Sequence, residues 1–400
     1  METPFSRAHR RTFNQFFNPR VVRDYYPLQR IRSLSLVKKL TSSPEDFFNH
    51  VHQKCIQSYT GSLVLEIAYG YTLSSNYDPY VKLAYDANEG LTAAGVPGAF
   101  LVDFVPILRF IPGWFPGATF KHKAKHWAKC SDELVNRPWE WLKEQMEYGT
   151  AAPSFFTRHL ERAQTSVVAA SSSGSAEGEN STQAEEVIKN TAAVAYQTGA
   201  ETTTSALLSF ILAMALHPEF QTAAQAEIDA LFGPEGENGK LPDFDDKDKK
   251  RLPYIEAVLK EVLRWNPVGP LSVAHRSVED DVYDGYFIPG GTTVIPNSWA
   301  VLHSEDLYGP NPMSFDPGRF TRGEVKLDPE NVAFGYGRRA CLGRHFALNT
   351  LWISMVYILS TFDIKKPLDS DGKEVEPEIR YGTGLVWFVY SLDNLALVQS

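Results

Sequence analysis

Two long uncharged runs constrain this 400-residue chain more than any other feature. Thr202 to Pro218 carries Ala-Leu-Leu-Ser-Phe-Ile-Leu-Ala-Met-Ala-Leu, and Phe346 to Phe362 carries Leu-Trp-Ile-Ser-Met-Val-Tyr-Ile-Leu. Each is about 17 residues long, at the lower limit for crossing a bilayer, and each also contains Ser, Thr or Asn. A helix that is apolar all round is at home inside a large protein core. We therefore read two buried helices, with the rest of the chain wrapped around them. Apolar residues at 43% and charged ones at 22% are ordinary for a protein with such a core. Nothing splits the chain, so residues 1–400 are expected to form a single domain.

Acidic residues number 48 and basic ones 39, a formal charge of −9. That balance argues against a nucleic-acid binder, which needs a basic footprint. Three cysteines (Cys55, Cys130 and Cys341) cannot make a disulfide framework, and point to a reducing compartment or to one cysteine with a chemical task. The start, Met1-Glu-Thr-Pro-Phe-Ser-Arg, has no apolar run and so no signal peptide or N-terminal anchor.

The first half reads as helical. A basic, aromatic helix over Arg7 to Phe17 stops at Asn18-Pro19, Ser43-Pro44-Glu45-Asp46 signals a helix start, and Lys121 to Gln145 is one long helix. Val102 to Gly117 is apolar but broken by Pro106, Pro112 and Pro116, which suits a packed loop or a surface that touches lipid. Residues of about 165–183 are too polar and too small in side chain to pack, and read as an exposed, flexible loop. One helix is expected over Glu185 to Leu216, ended by Pro218, and a short one over Pro253 to Trp265. Asp281 to Pro296 then alternates and carries Asp284-Gly285 and Pro289-Gly290-Gly291, which fits strands. A last long helix follows Cys341, and the tail from Asp363 reads as strands and turns. The fold class is mainly α with small β-sheets.

Phe334-Gly-Tyr-Gly-Arg-Arg-Ala-Cys341-Leu-Gly343 carries the strongest chemical signal. It places one cysteine at the head of an apolar helix, behind a Gly-rich loop with two arginines. Helix N-termini and nearby cations favour thiolate over thiol, and a thiolate is a ligand for haem iron. Its glycines let the backbone turn tightly beside a flat ligand. Glu261 and Arg264 share a helix face at i, i+3, and Arg319 sits in an aromatic, Pro-bounded loop that could complete a buried charge network. In the long helix, Gly199 and Ala200 are small enough for a ligand to press on, and Glu201-Thr202 pairs an acid with a hydroxyl able to relay protons.

Taken in order, these segments resemble the cytochrome P450 family of haem-thiolate monooxygenases, over essentially the whole chain. The family's F-x-x-G-x-R-x-C-x-G loop is matched by Phe334, Gly337, Arg339, Cys341 and Gly343. Its E-x-x-R helix is matched by Glu261 and Arg264, the arginine of the following loop by Arg319, and its [AG]-G-x-[DE]-T segment by Gly199, Glu201 and Thr202. The texture of Val102 to Gly117 and Asp281 to Pro296 looks like fungal secondary-metabolism or xenobiotic members. The resemblance implies haem b held by Cys341 as the iron ligand, with Thr202 and Glu201 delivering protons to dioxygen. It implies that Arg339, Arg10 and either His275 or Arg276 neutralise the haem propionates, and that Val194, Thr198, Leu271 and Leu385 face the substrate. It further implies electrons from NADPH through a separate cytochrome P450 reductase, a small apolar organic substrate, a monomer, and the cytosolic face of the endoplasmic reticulum membrane.

This chain departs from the family pattern in several places. Gly318 stands where a glutamate usually precedes the loop arginine, Thr198 where the first small residue belongs, and Ser6 where a tryptophan usually precedes Arg10 by four residues. The family's usual N-terminal part is missing, so the expectation is a cytochrome P450 fold lacking it. The competing reading is a truncated, inactive relative that binds haem or substrate poorly. Two other clusters are weak: His122, His126 and Cys130 form a helical stripe that could hold zinc but are crowded by lysines, and His50, His52 and Cys55 are no better.

Overall fold

The computed structural model describes residues 4–42, 59–73, 78–161, 178–233 and 246–366, and beyond them 368–369, 371–377, 379–382, 384–387 and 396–399. The Ser43 helix signal, the His50, His52 and Cys55 cluster and most of the 165–183 loop lie outside the described residues. Nine helices of ten residues or more are described: α1 (Pro4–Phe17), α2 (Tyr26–Ser42), α3 (Thr60–Tyr69), α4 (Pro79–Ala94), α5 (Thr119–Glu147), α6 (Gly178–Leu216), α7 (Pro218–Phe232), α8 (Pro253–Trp265) and α9 (Arg344–Leu359). Helices α6 and α9 are the two expected core rods, and they pack on each other. Thr203 to Ala215 of α6 and Leu348 to Leu359 of α9 are buried without a break. Helix α6 is long and apolar enough to cross a membrane, but 78% of that stretch is buried inside the protein, so here it is a core helix.

Hydroxyls inside these rods are satisfied locally. Ser209 Oγ donates to Ser205 O at 2.9 Å, Thr350 Oγ1 to Phe346 O at 2.8 Å and Ser354 Oγ to Thr350 O at 2.7 Å. Helix starts follow their proline signals. Asp78 caps α4 by accepting from Tyr80 N at 3.0 Å, with Pro79 in the first turn. Pro253 opens α8, whose first free N–H groups, Tyr254 N and Ile255 N, donate to the Glu227 carboxylate of α7.

Three antiparallel two-stranded sheets complete the fold: β1 (His275–Arg276) with β4 (Thr293–Val294), β2 (Asp281–Tyr283) with β3 (Tyr286–Ile288), and β5 (Phe362–Lys365) with β6 (Ala396–Gln399). The β2–β3 turn is Asp284-Gly285, both with positive φ (50° and 79°), as a tight hairpin turn requires. Two expectations need correcting. Helix α6 begins at Gly178, not Glu185, so the polar end of the expected loop is already helical. Its N-terminal turns can stay polar because the burial that fixes the helix comes further along. Residues 102–117 are not a packed loop: a short helix (Leu101–Phe104) and a 3-10 turn (Pro106–Phe110) leave Leu101, Phe104, Ile107, Phe110 and Trp114 more than two-thirds exposed. The three prolines limit regular backbone pairing here, and among the described residues no neighbouring element covers these apolar side chains.

Candidate active site

Phe334 to Gly343 is a compact loop closed on itself. The Cys341 N–H donates to Phe334 O at 2.7 Å, and Gly335 (φ 78°) and Gly337 (φ 52°) take the left-handed backbone that lets the chain double back. The Cys341 side chain is exposed at the loop, just ahead of α9. The backbone N–H groups of Gly343 and Arg344 point at its sulfur, and the Arg344 and Arg10 charges lie close enough to act on it. Although the residue keeps solvent access, desolvation by the loop atoms packed around the sulfur outweighs them and pushes the thiol above its usual range. The helix start and the cations do favour the thiolate, as the sequence suggests, and desolvation works against them.

Helix α1 lies against this loop. Arg10 Nη2 donates to Ala340 O at 3.4 Å, and Arg339 Nη1 to Ser6 Oγ at 3.4 Å. Ser6, in the place of the family's tryptophan, thus meets the loop arginine directly. On β1, Arg276 Nε donates to Gly291 O at 3.1 Å across the hairpin. Adjacent strand residues face opposite ways, so His275 points to the other side of the ribbon, where it is exposed.

Glu261, Arg264 and Arg319 meet in the interior, each 1% exposed or less. Arg264 grips Glu261 with both arms of its guanidinium, at 2.7 and 2.8 Å, and Arg319 Nε adds a bond to Glu261 Oε1 at 3.2 Å. The remaining N–H groups hold four loop carbonyls: Arg264 those of Leu302, Pro312 and Ser314, and Arg319 those of Tyr308 and Ser314. The Asp316 N–H also donates to Glu261, at 2.7 Å. The three charges therefore stitch the irregular chain from Leu302 to Asp316 onto α8. At Gly318 a Cβ would meet the tip of the flexible Arg322 side chain, which pairs with Asp316 and Glu324.

Along α6, Val194 (51% exposed), Thr198 and Thr202 recur every four residues and make the open face of an otherwise buried helix. Both threonine hydroxyls bond back along the helix, Thr198 Oγ1 to Val194 O at 2.7 Å and Thr202 Oγ1 to Thr198 O at 3.0 Å. Gly199 and Ala200 do not face this opening. A Cβ at Gly199 would lie 2.9 Å from Val64 of α3, and Ala200 is buried. Their smallness lets α3 approach. Burial pushes the Glu201 carboxyl up to about 7, partly opposed by the Asn88 side chain. Because its folded value lies above the ordinary 4.5, Glu201 favours the fold below pH 4.5 and loses that contribution as pH rises through 7.

Segment 384–387 runs between two walls. Leu385 N donates to Thr92 O on α4 at 3.3 Å and Trp387 N to Val268 O at 2.8 Å, which brings half-buried Leu385 near the chain leading to Leu271 (45% exposed). A link that sequence reasoning missed joins this wall to the cysteine loop. Ser272, with φ of 47°, bonds Ser298 Oγ at 2.7 Å, and Ser298 bonds the Tyr336 hydroxyl at 2.8 Å. Of the weaker candidates, Cys130 Sγ lies 3.7 Å from His126 Nε2, while His122 Nε2 bonds Gly113 O at 3.0 Å.

The described residues thus set a loop-borne cysteine, a buried Glu–Arg–Arg network and an acid–alcohol pair on the central helix into one helical fold. The sequence matches the family described as Cytochrome P450 over residues 1–385, and the chain belongs to that family. It is 43% identical to a cytochrome P450 monooxygenase of Armillaria gallica over 96% of this chain and 71% of that one. It is 39% identical to the tryptamine 4-monooxygenase of Psilocybe cyanescens, over 94% of this chain and 71% of that one. A zebrafish cytochrome P450 solved with abiraterone shares the fold, with a TM-score of 0.70 at 21% identity, covering all of this chain and 82% of that one.

Proposed function

We propose that this chain binds one haem b through Cys341 and inserts one atom of O2 into a small apolar organic substrate, with electrons from NADPH through a separate reductase. The observation that carries this reading is the Cys341 sulfur, set in a self-closed loop with two backbone N–H groups and two arginines acting on it. That donor set fits an anionic metal ligand and has no evident use for a structural thiol. Phe334, Gly337 and Gly343 shape the loop, while Arg339, Arg10 and either His275 or Arg276 are the partners for the two propionates. Bound haem supplies O2 activation, which the side chains alone cannot.

This chain's own residues hold and move the protons. Glu201, titrating near 7, can carry a proton at neutral pH and give it up there. The Thr202 hydroxyl, one residue on, can pass that proton along once it leaves its bond to Thr198 O. Val194, Thr198, Leu271 and Leu385 line the path of an apolar substrate and exclude water from it.

The test is turnover under 18O2 with a fungal NADPH-dependent flavin reductase and a panel of apolar amines and terpenoids. The reading predicts one 18O atom per product molecule. Oxygen drawn only from water, or no product from haem-loaded protein across the panel, would contradict it. Thr202→Ala should keep the haem while diverting reducing equivalents to peroxide, lowering product per NADPH about 100-fold, the lower end of general acid contributions. Unchanged coupling would remove Thr202 from proton delivery.

The exposed Leu101, Phe104, Ile107, Phe110 and Trp114 support attachment to a membrane surface, with Arg109 beside them for anionic headgroups. Phe110→Asp with Trp114→Asp should weaken sedimentation with phospholipid vesicles by roughly tenfold or more, since each aromatic side chain contributes 1.5–3 kcal/mol when buried. Equal binding by the variant would show that another surface meets the lipid.

A further inference from the structure

The proton steps make no use of the hydroxyl chain that joins the Leu271 wall to the cysteine loop. Ser272 Oγ lies 2.7 Å from Ser298 Oγ, and Ser298 Oγ lies 2.8 Å from the Tyr336 hydroxyl. Ser298 opens the short helix Ser298–Leu302 and is fully buried. Each hydroxyl carries one proton, so Ser298 donates to one partner and accepts from the other. Losing either end leaves a buried hydroxyl one bond short. Ser272 sits in left-handed backbone (φ 47°), which a side chain disfavours. Its bond to Ser298, with that from Trp299 N to Pro270 O at 2.8 Å, ties the wall to the helix start. At the other end, the Tyr336 carbonyl accepts from Arg339 N at 3.1 Å, inside the loop that carries Cys341.

We infer that Ser272, Ser298 and Tyr336 act as one positioning chain that fixes how far the Leu271 wall stands from the cysteine loop, and thereby sets the bulk of ligand the site admits. The inference rests on the reading that Cys341 holds haem and Leu271 faces the substrate. The three hydroxyls act through Leu271, the residue beside Ser272, which is 45% exposed. While Ser272 is bonded, its disfavoured backbone is held and Leu271 is held with it. Once the bond is gone, Ser272 relaxes and Leu271 gives way before a bulky ligand. Tyr336 fixes the same wall from the far end, because its bond sets how Ser298 is oriented toward Ser272.

The experiment measures the affinity of the haem-loaded chain for imidazole, 1-benzylimidazole and 1-tritylimidazole by their Soret shifts. The three offer the same donor nitrogen and differ in bulk. Ser272→Gly and Tyr336→Phe should each raise affinity for 1-tritylimidazole relative to imidazole by about tenfold, the scale of one neutral hydrogen bond. Combined, they should raise it no further than either alone, because both break the same chain. Hydrogen exchange tests the link without haem. Ser272→Gly should speed exchange in peptides over 334–343, and Tyr336→Phe in peptides over 270–274, whereas a bond of local structural value would loosen its own end alone. An unchanged or lowered affinity ratio, gains that add in the double variant, or exchange that quickens at the substituted end alone would overturn the inference. Failure to take up haem would refute the haem reading, and the exchange result would still decide the link.

Discussion

Arg264→Ala should cost the fold about 3–5 kcal/mol, the range for removing one partner of a buried charge pair. That is a large share of the 5–15 kcal/mol by which proteins are stable. The geometry puts the variant at the upper end. Glu261 would keep only Arg319 Nε and the Asp316 N–H as donors, inside a protein where it is fully buried. The carbonyls of Leu302 and Pro312 would lose their Arg264 bonds at the same time. Replacing all three charges by apolar residues, often harmless to a simple ion pair, should not rescue stability. The network also serves four loop carbonyls that an apolar side chain would orphan. Urea denaturation checks this. A midpoint within error of the parent for Arg264→Ala would mean that the loop from Leu302 to Asp316 holds itself.

Cys341→Ser should have the opposite profile, leaving the fold intact and removing the chemistry. Cys341 is exposed and outside the packed core, so the haem-free variant should keep its stability within about 0.5 kcal/mol. Serine keeps the shape but offers an alcohol in place of an ionisable thiol, and the N–H groups of Gly343 and Arg344 would then face a neutral oxygen. Haem affinity should fall by well over about 100-fold, beyond the 10–100-fold that losing an outer partner costs a metal site. Haem titration followed by Soret absorbance checks it. Undiminished affinity would assign the iron ligand elsewhere.

The core was legible in the sequence because it depends on long local patterns. The uncharged runs of α6 and α9, and the Pro253 to Asn266 boundaries of α8, are written in adjacent residues. The Glu261–Arg264 pair was legible for the same reason, being i, i+3 on one helix. Arg319, 58 residues from Glu261, stood out by its aromatic, Pro-bounded loop, but no local pattern joins it to Glu261. Contacts between distant segments were not legible. Asn88 meets Gln197 across 109 residues, and Tyr336 reaches Ser272 through Ser298. No local pattern marks either. Gly199 shows how a small residue misleads: sequence shows the missing side chain, but only packing shows that Val64 fills its place. Cys341 is a mixed case: Gly343 and Arg344 are its neighbours in sequence, whereas Arg10 and the desolvation that opposes them come from the fold.

The central claim is that this chain holds haem through the Cys341 thiolate. The most direct measurement is the absorption spectrum of the haem-loaded chain, reduced under carbon monoxide. Thiolate ligation predicts a strongly red-shifted Soret band that disappears in Cys341→Ser. Failure to take up haem, or a bound haem whose carbon monoxide complex shows no such shift, would contradict it.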